Sequence, residues 1–132
     1  MVAFNKTYKQ MFHCRIAVNQ QNVLGTPLLP LGINTGYFRD GYARSSPQDA
    51  GQHIAAAVMT QQFLDFTASR GNDLKTPRLG FPGLRPGDRW ALCASRWVEA
   101  LHAGVAPPLI LQATHKDMLK YVPLHVLQAH SA

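Results

Sequence analysis

Apolar and polar positions alternate weakly over residues 1–21, where Phe12, Cys14, Ile16 and Val18 stand against His13, Arg15 and Ala17. A period of two predicts a short strand with one polar face. From Asn22 to Gly36 the apolar positions are broken by Gly and Pro, the mark of an ordered loop. Asp40-Gly41 then marks a turn, read as a tight hairpin within Tyr37–Arg44. Ser46-Pro47-Gln48-Asp49 predicts a short helical turn, with a hydroxyl cap, proline at the first position and an acid at the third.

The pattern changes at His53. His53–Thr60 is a continuous apolar run of strand length, and it leads into a helix from Thr60 to about Ser69, with Phe63, Leu64 and Phe66 apolar and Gly71 as its stop. The same grammar follows twice more. Arg89–Ser95 reads as a strand and Ser95–Gly104 as a helix carrying Trp97, Val98 and Leu101. Ala106–Thr114 reads as a third strand, Thr114 as the cap of His115–Tyr121, and Pro123 as the opening of a last helix, Leu124–Ala129. The expected fold is a single compact α/β or α+β domain, a small mixed sheet with about four helices. Residues 1–21 form an N-terminal extension or strand, and 22–132 the globular domain.

At 132 residues and 46 % apolar, the chain has enough material for one core. Its charged fraction of 15 % is low against a norm of roughly 25 %, which suits a surface that meets a protein partner or a second copy. No apolar run approaches the ~18 residues that would span a bilayer, so no membrane role is expected. The N-terminus lacks the pattern of a signal peptide. Cys14 and Cys93, far apart and outside any CxxC spacing, suit free thiols in a reducing compartment, and the cytoplasm is the expected location.

Charge concentrates in Arg70–Trp97, which holds six cations against two anions, a net +4 of the chain's +6. The cations are single and scattered, and no RNP, helix-turn-helix or zinc-finger pattern accompanies them. Nucleic acid is therefore the least favoured partner, restricted to weak phosphate contact.

Several stretches resemble one family. Asn22-Val-Leu-Gly-Thr-Pro-Leu, Gly36-Tyr-Phe-Arg-Asp-Gly, Arg70-Gly-Asn-Asp-Leu, Phe81-Pro-Gly-Leu-Arg-Pro-Gly-Asp-Arg-Trp, Ser95-Arg-Trp and Gly104-Val-Ala-Pro-Pro are similar to an uncharacterised, mostly bacterial family catalogued as domain of unknown function 2237. The resemblance spans about Asn22 to His130 and implies no activity. It implies cysteines where this chain has Ala43, Ala56 and Ala91, and only Cys93 matches. A thiol-held metal or a redox centre is accordingly not expected, and neither is a cofactor.

No acid/base pair stands at a recognisable spacing, so the sequence leaves catalysis open. Cys93, in an apolar strand, reads as an inert buried thiol; a nucleophile would need a stabilising neighbour such as a histidine. His53, His102, His115, His125 and His130 show no metal-ligand spacing and read as cap, surface or core residues. The three hydroxyls Thr60, Ser95 and Thr114 suggest the most specific site. Were their strands parallel neighbours, all three would line the carboxyl edge of the sheet, with helix N-termini suited to a small anionic ligand. Arg96 and His115 would supply charge there, and Asn72 and Asp73 would close one side. The alternatives are a protein-interaction module and a set of ordinary caps and turns, since hydroxyls begin many helices and Asn and Asp fold back on turn amides.

Overall fold

The computed structural model describes residues 19–132; the weak alternation within 1–18 lies outside the described residues. Strand β1 (His53–Val58) leads into helix α1 (Gln61–Ser69), and strand β2 (Arg89–Cys93) into helix α2 (Ala94–His102). Two 3-10 turns, Leu111–Ala113 and Lys116–Lys120, precede helix α3 (Leu124–Ala129). The described residues thus form a small mixed α/β fold with three α-helices, one fewer than the sequence reading.

β1 and β2 are antiparallel, pairing Val58 with Arg89, Ala56 with Ala91 and His53 with Cys93. This corrects the mixed sheet with parallel neighbours. The cause lies in the segment after α1, which returns to the end of β1 that it left. Arg85-Pro86-Gly87-Asp88 makes the final turn, with Gly87 at φ 92 as the third residue after a proline requires. The Gly87 N–H then donates to the Met59 carbonyl at 2.8 Å and the Met59 N–H to the Asp88 carbonyl at 2.8 Å. β2 therefore starts beside the end of β1 and runs back along it.

The expected third strand, Ala106–Thr114, shrinks to isolated bridges, Leu109 to Ala57 and to Ser131 and Thr114 to Ala43. Pro107 and Pro108 have no N–H for a ladder, and the chain then tightens into the 3-10 turn at Leu111. The segment still covers the free edge of β1: the Val58 N–H donates to the Pro108 carbonyl (2.9 Å), the Ile110 N–H to Ala56 (2.8 Å) and the His115 N–H to Ile54 (3.1 Å). The Ser46–Asp49 stretch makes a single turn, closed by the Asp49 N–H on the Ser46 carbonyl, and Thr35–Gly41 closes by a Gly41 N–H bond to the Thr35 carbonyl rather than as a strand hairpin.

The alanine run in β1 has a packing reason. Ile54, Ala55 and Ala57 meet the main core with Phe63, Leu64, Trp97, Leu109, Met118 and Leu127. Ala56 joins a second buried cluster with Leu31, Ala43, Ala91 and Ala113. Small side chains let the layers on both faces approach the ribbon closely. α1 buries Phe63, Leu64 and Thr67, and α2 buries Ala94, Trp97 and Ala100, the spacing of one helical face. No helix among the described residues is long and apolar enough to cross a membrane.

Candidate functional site

The edge suggested by three hydroxyls does not form. Because the strands are antiparallel, Thr60 follows one end of the ribbon and Ser95 follows the other. Thr60 caps α1 as expected, its Oγ1 accepting from the Phe63 N–H at 3.1 Å. Ser95 lies inside α2 and is exposed; the N-cap is Cys93, which makes no side-chain capping bond. Thr114 is fully buried, its hydroxyl accepting from the Ala56 N–H (3.1 Å) and donating to the Ile110 carbonyl (3.0 Å).

The polar residues proposed around that edge hold the fold together. Arg96 donates to the Arg70 carbonyl at the end of α1 (3.0 Å) and pairs with Glu99 (3.2 Å). Asn72 donates to the Thr67 hydroxyl at 3.0 Å. Asp73 accepts from the N–H groups of Lys75 and Thr76, and the Thr76 hydroxyl is the main cause that holds its carboxyl below the usual range. His115 is buried, its Nδ1 accepting from the Asp117 N–H at 3.0 Å, and burial pushes its pKa down.

A cavity of about 340 Å³ opens instead along one side of the ribbon, from His53 to Trp90. It is lined by Tyr37 and Arg39 from the Thr35–Gly41 turn, His53 and Trp90 from the strands, and Arg78 and Phe81 from the loop before β2. The turn is fixed to β2 by the Thr35 hydroxyl, which accepts from the Ala91 N–H at 2.9 Å. Gly36 is required there: its φ is 91, and a Cβ would lie 2.2 Å from the Tyr42 carbonyl oxygen. The Arg39 guanidinium stacks 5.0 Å from the Trp90 ring, and Arg78 stacks 5.3 Å from Phe81. Phe81 and Trp90 meet edge to face at 5.5 Å. A second cavity of about 520 Å³, lined by Ile33, Pro82 and Leu84 among others, shares Arg39, Phe81 and Trp90 with the first.

His53 is held in place from three directions. Both oxygens of the buried Asp49 carboxylate grip it: Oδ2 accepts from the His53 backbone N–H at 2.8 Å, and Oδ1 lies 2.8 Å from its Nδ1. The Tyr37 ring stacks on the imidazole at 6.4 Å. Cys93 stands opposite in the strand register. Hydrogen bonding with the Cys93 side chain is the largest influence on the imidazole; burial opposes it, Asp49 adds to it, and the pKa is raised to about 9. Two non-glycine residues with left-handed backbone, Arg39 (φ 56) and Gln52 (φ 47), belong to this same region. Such strain persists only where surrounding contacts impose it. Gln52 carries that load through its own carbonyl, which accepts from the Ile54 and Ala94 N–H groups at 2.8 and 2.9 Å.

Sequence reasoning named none of Tyr37, Arg39, Asp49, His53, Arg78 or Phe81 as site residues. The legible signal was Asp49 four residues before His53 at a strand start, with Gly51 between them. Its partner Cys93 became visible only with the antiparallel register. A comparison with curated proteins finds no match. A family model described as an uncharacterized protein conserved in bacteria, domain of unknown function 2237, matches residues 21–131, and the chain belongs to that family.

Proposed function

We propose that the cavity beside His53 binds a small organic anion that carries a flat or apolar part. The observation that carries this reading is the convergence of Arg39, Arg78 and His53, whose pKa is raised to about 9, on a cavity walled by Tyr37, Phe81 and Trp90. Asp49 offsets the imidazolium, so the two guanidiniums supply the excess positive charge. A guanidinium matches a carboxylate or phosphate with its planar fork of donors, while the rings remove the apolar part of a ligand from water. The ligand class is the one expected from the sequence, moved from the hydroxyl edge to this cavity.

The test is a titration followed by indole fluorescence, in which Trp90 lines the cavity and Trp97 is a buried reference. Benzoate is the probe, with benzamide as the uncharged ring and inorganic phosphate as the ringless anion. Benzoate should bind more tightly than either control, and Arg78→Gln should weaken it by on the order of tenfold, the weight of one charge-assisted hydrogen bond. Equal response to benzoate and benzamide would remove the charge argument. No response to any of the three would favour an interaction module.

A further inference from the structure

We propose that Cys93 is a nucleophile, with His53 as its proton partner and Asp49 as the positioning residue for His53, and that it accepts the acyl group of an anionic ester or thioester. Asp49 and His53 stand four residues apart at the start of β1, and the antiparallel pairing brings Cys93 to them at one end of the ribbon. His53 and Cys93 face each other across the strand pair, at the register irregularity between His53 and Ala55. Gly51 allows them to approach: a Cβ there would lie 3.0 Å from His53 Cε1 and 3.4 Å from Cys93 Sγ. Asp49 is 1 % exposed and spends both carboxylate oxygens on His53, which fixes the ring and favours its protonated form.

Cys93 also occupies the N-cap of α2, a helix of nine residues, and makes no capping bond there. The Cys93 side chain thus stands at the start of a helix and beside an imidazole that can exchange a proton with it. Cys93 is a free cysteine. The groups facing His53 are Asp49 from the preceding turn, Cys93 from β2, the Tyr37 ring, and Arg39 and Arg78 across the cavity.

This pairing places a nucleophile and an acid side by side, which is what acyl substitution consumes. Sγ attacks the carbonyl carbon and a carbon–sulfur bond forms. The bond from that carbon to the leaving oxygen or sulfur breaks, and the His53 imidazolium gives its proton to the leaving atom. Water then attacks the Cys93 thioester while the neutral imidazole takes a proton from it. The sulfur leaves as thiolate, the acyl group departs as an acid that ionises in solvent, and the ion pair is restored. No electrons are transferred and no co-reactant other than water is needed. The anionic character of the acyl donor rests on the cavity reading above; the nucleophile does not.

The experiment is site-resolved alkylation of the full chain, read by peptide mass spectrometry so that Cys93 and Cys14 are scored separately. At about pH 7, iodoacetamide should modify Cys93 at least about tenfold faster than it modifies N-acetylcysteine, because His53 can take the thiol proton as the sulfur attacks. That advantage should vanish in His53→Gln and fall in Asp49→Asn, each checked for native circular dichroism. The acyl step is read with the hemisuccinate ester of para-nitrophenol, which should leave a succinyl group on Cys93 and release nitrophenol in a burst. Cys93 labelling no faster than the free thiol, labelling unchanged in both variants, or succinyl groups only on other residues would each overturn the proposal. The cavity reading fails separately: iodoacetate should outpace iodoacetamide at Cys93, and Arg39→Gln with Arg78→Gln should abolish that preference while leaving iodoacetamide fast.

Discussion

The two strand-to-helix junctions, Met59-Thr60 and Cys93-Ala94, look alike in sequence and differ in chemistry. At the first, the Thr60 hydroxyl accepts from the Phe63 N–H, the returning turn bonds to Met59, and every feature serves the fold. At the second, the N-cap is a thiol that makes no capping bond and faces an imidazole locked by a buried carboxylate. Antiparallel pairing puts the junctions at opposite ends of one ribbon. The lesson is that a junction with its donors already satisfied by its own cap has nothing left to offer a ligand. A junction without a cap, bordered by strained backbone at Gln52, is where chemistry is available.

The two tryptophans sharpen that contrast most strongly. Trp97 is fully buried in the core, and its Nε1–H donates to the Pro107 carbonyl at 3.0 Å. Trp97→Ala should cost about 3–5 kcal/mol in denaturant unfolding. Trp90 is half-buried on the cavity wall, so Trp90→Ala should cost about half as much in stability, in proportion to the apolar area involved. It should weaken benzoate binding more than Trp97 substitutions that retain the fold.

Thr60→Ala should destabilise by about 1 kcal/mol, the ordinary weight of an N-cap hydroxyl. Ser95→Ala should change stability by less than about 0.5 kcal/mol, because Ser95 is exposed and caps nothing. Equal losses at both positions would mean that the junctions are alike after all.

Much of the fold was legible in the chain. The β1–α1 unit, β2, α2 and α3 follow from hydrophobic period, Thr60, Gly71 and Pro123, because each signal acts locally. Strand direction was not legible, since it depends on how the loop from Gly71 to Asp88 packs back against Met59. That one unknown moved the site. With parallel strands Thr60 and Ser95 share an edge; with antiparallel strands His53 and Cys93 do. Asn72 and Asp73 were expected to close one side of a ligand site and Arg96 to supply its charge, whereas their hydrogen bonds close turns and helix ends.

The two shifted histidines predict opposite pH dependence. His53 has a folded-state pKa raised from 6.5 to about 9, so its contribution is complete below pH 6.5 and is lost as pH rises towards 9. His115 is pushed below 6.5 by burial, so the folded state takes up its proton less readily than the unfolded chain does, and stability is lost as pH falls through that range. Urea midpoints measured across pH should decline on both sides. His53→Gln should flatten only the alkaline arm, and His115→Gln only the acid one.

The smallest effect belongs to Arg96. Its bonds to the Arg70 carbonyl and Glu99 are partly exposed, so Arg96→Ala should cost no more than about 1 kcal/mol. It should leave benzoate binding unchanged.

Whether the ligand enters the cavity beside His53 is read directly by mapping amide chemical shifts during a benzoate titration. The largest changes should fall on Gly36, Tyr37, Arg39, His53, Arg78, Phe81 and Trp90, with the amides around Thr60 and Asn72 still. Shifts that cluster at the first turn of α1 and at Asn72 while the cavity residues stay unmoved would place the ligand elsewhere.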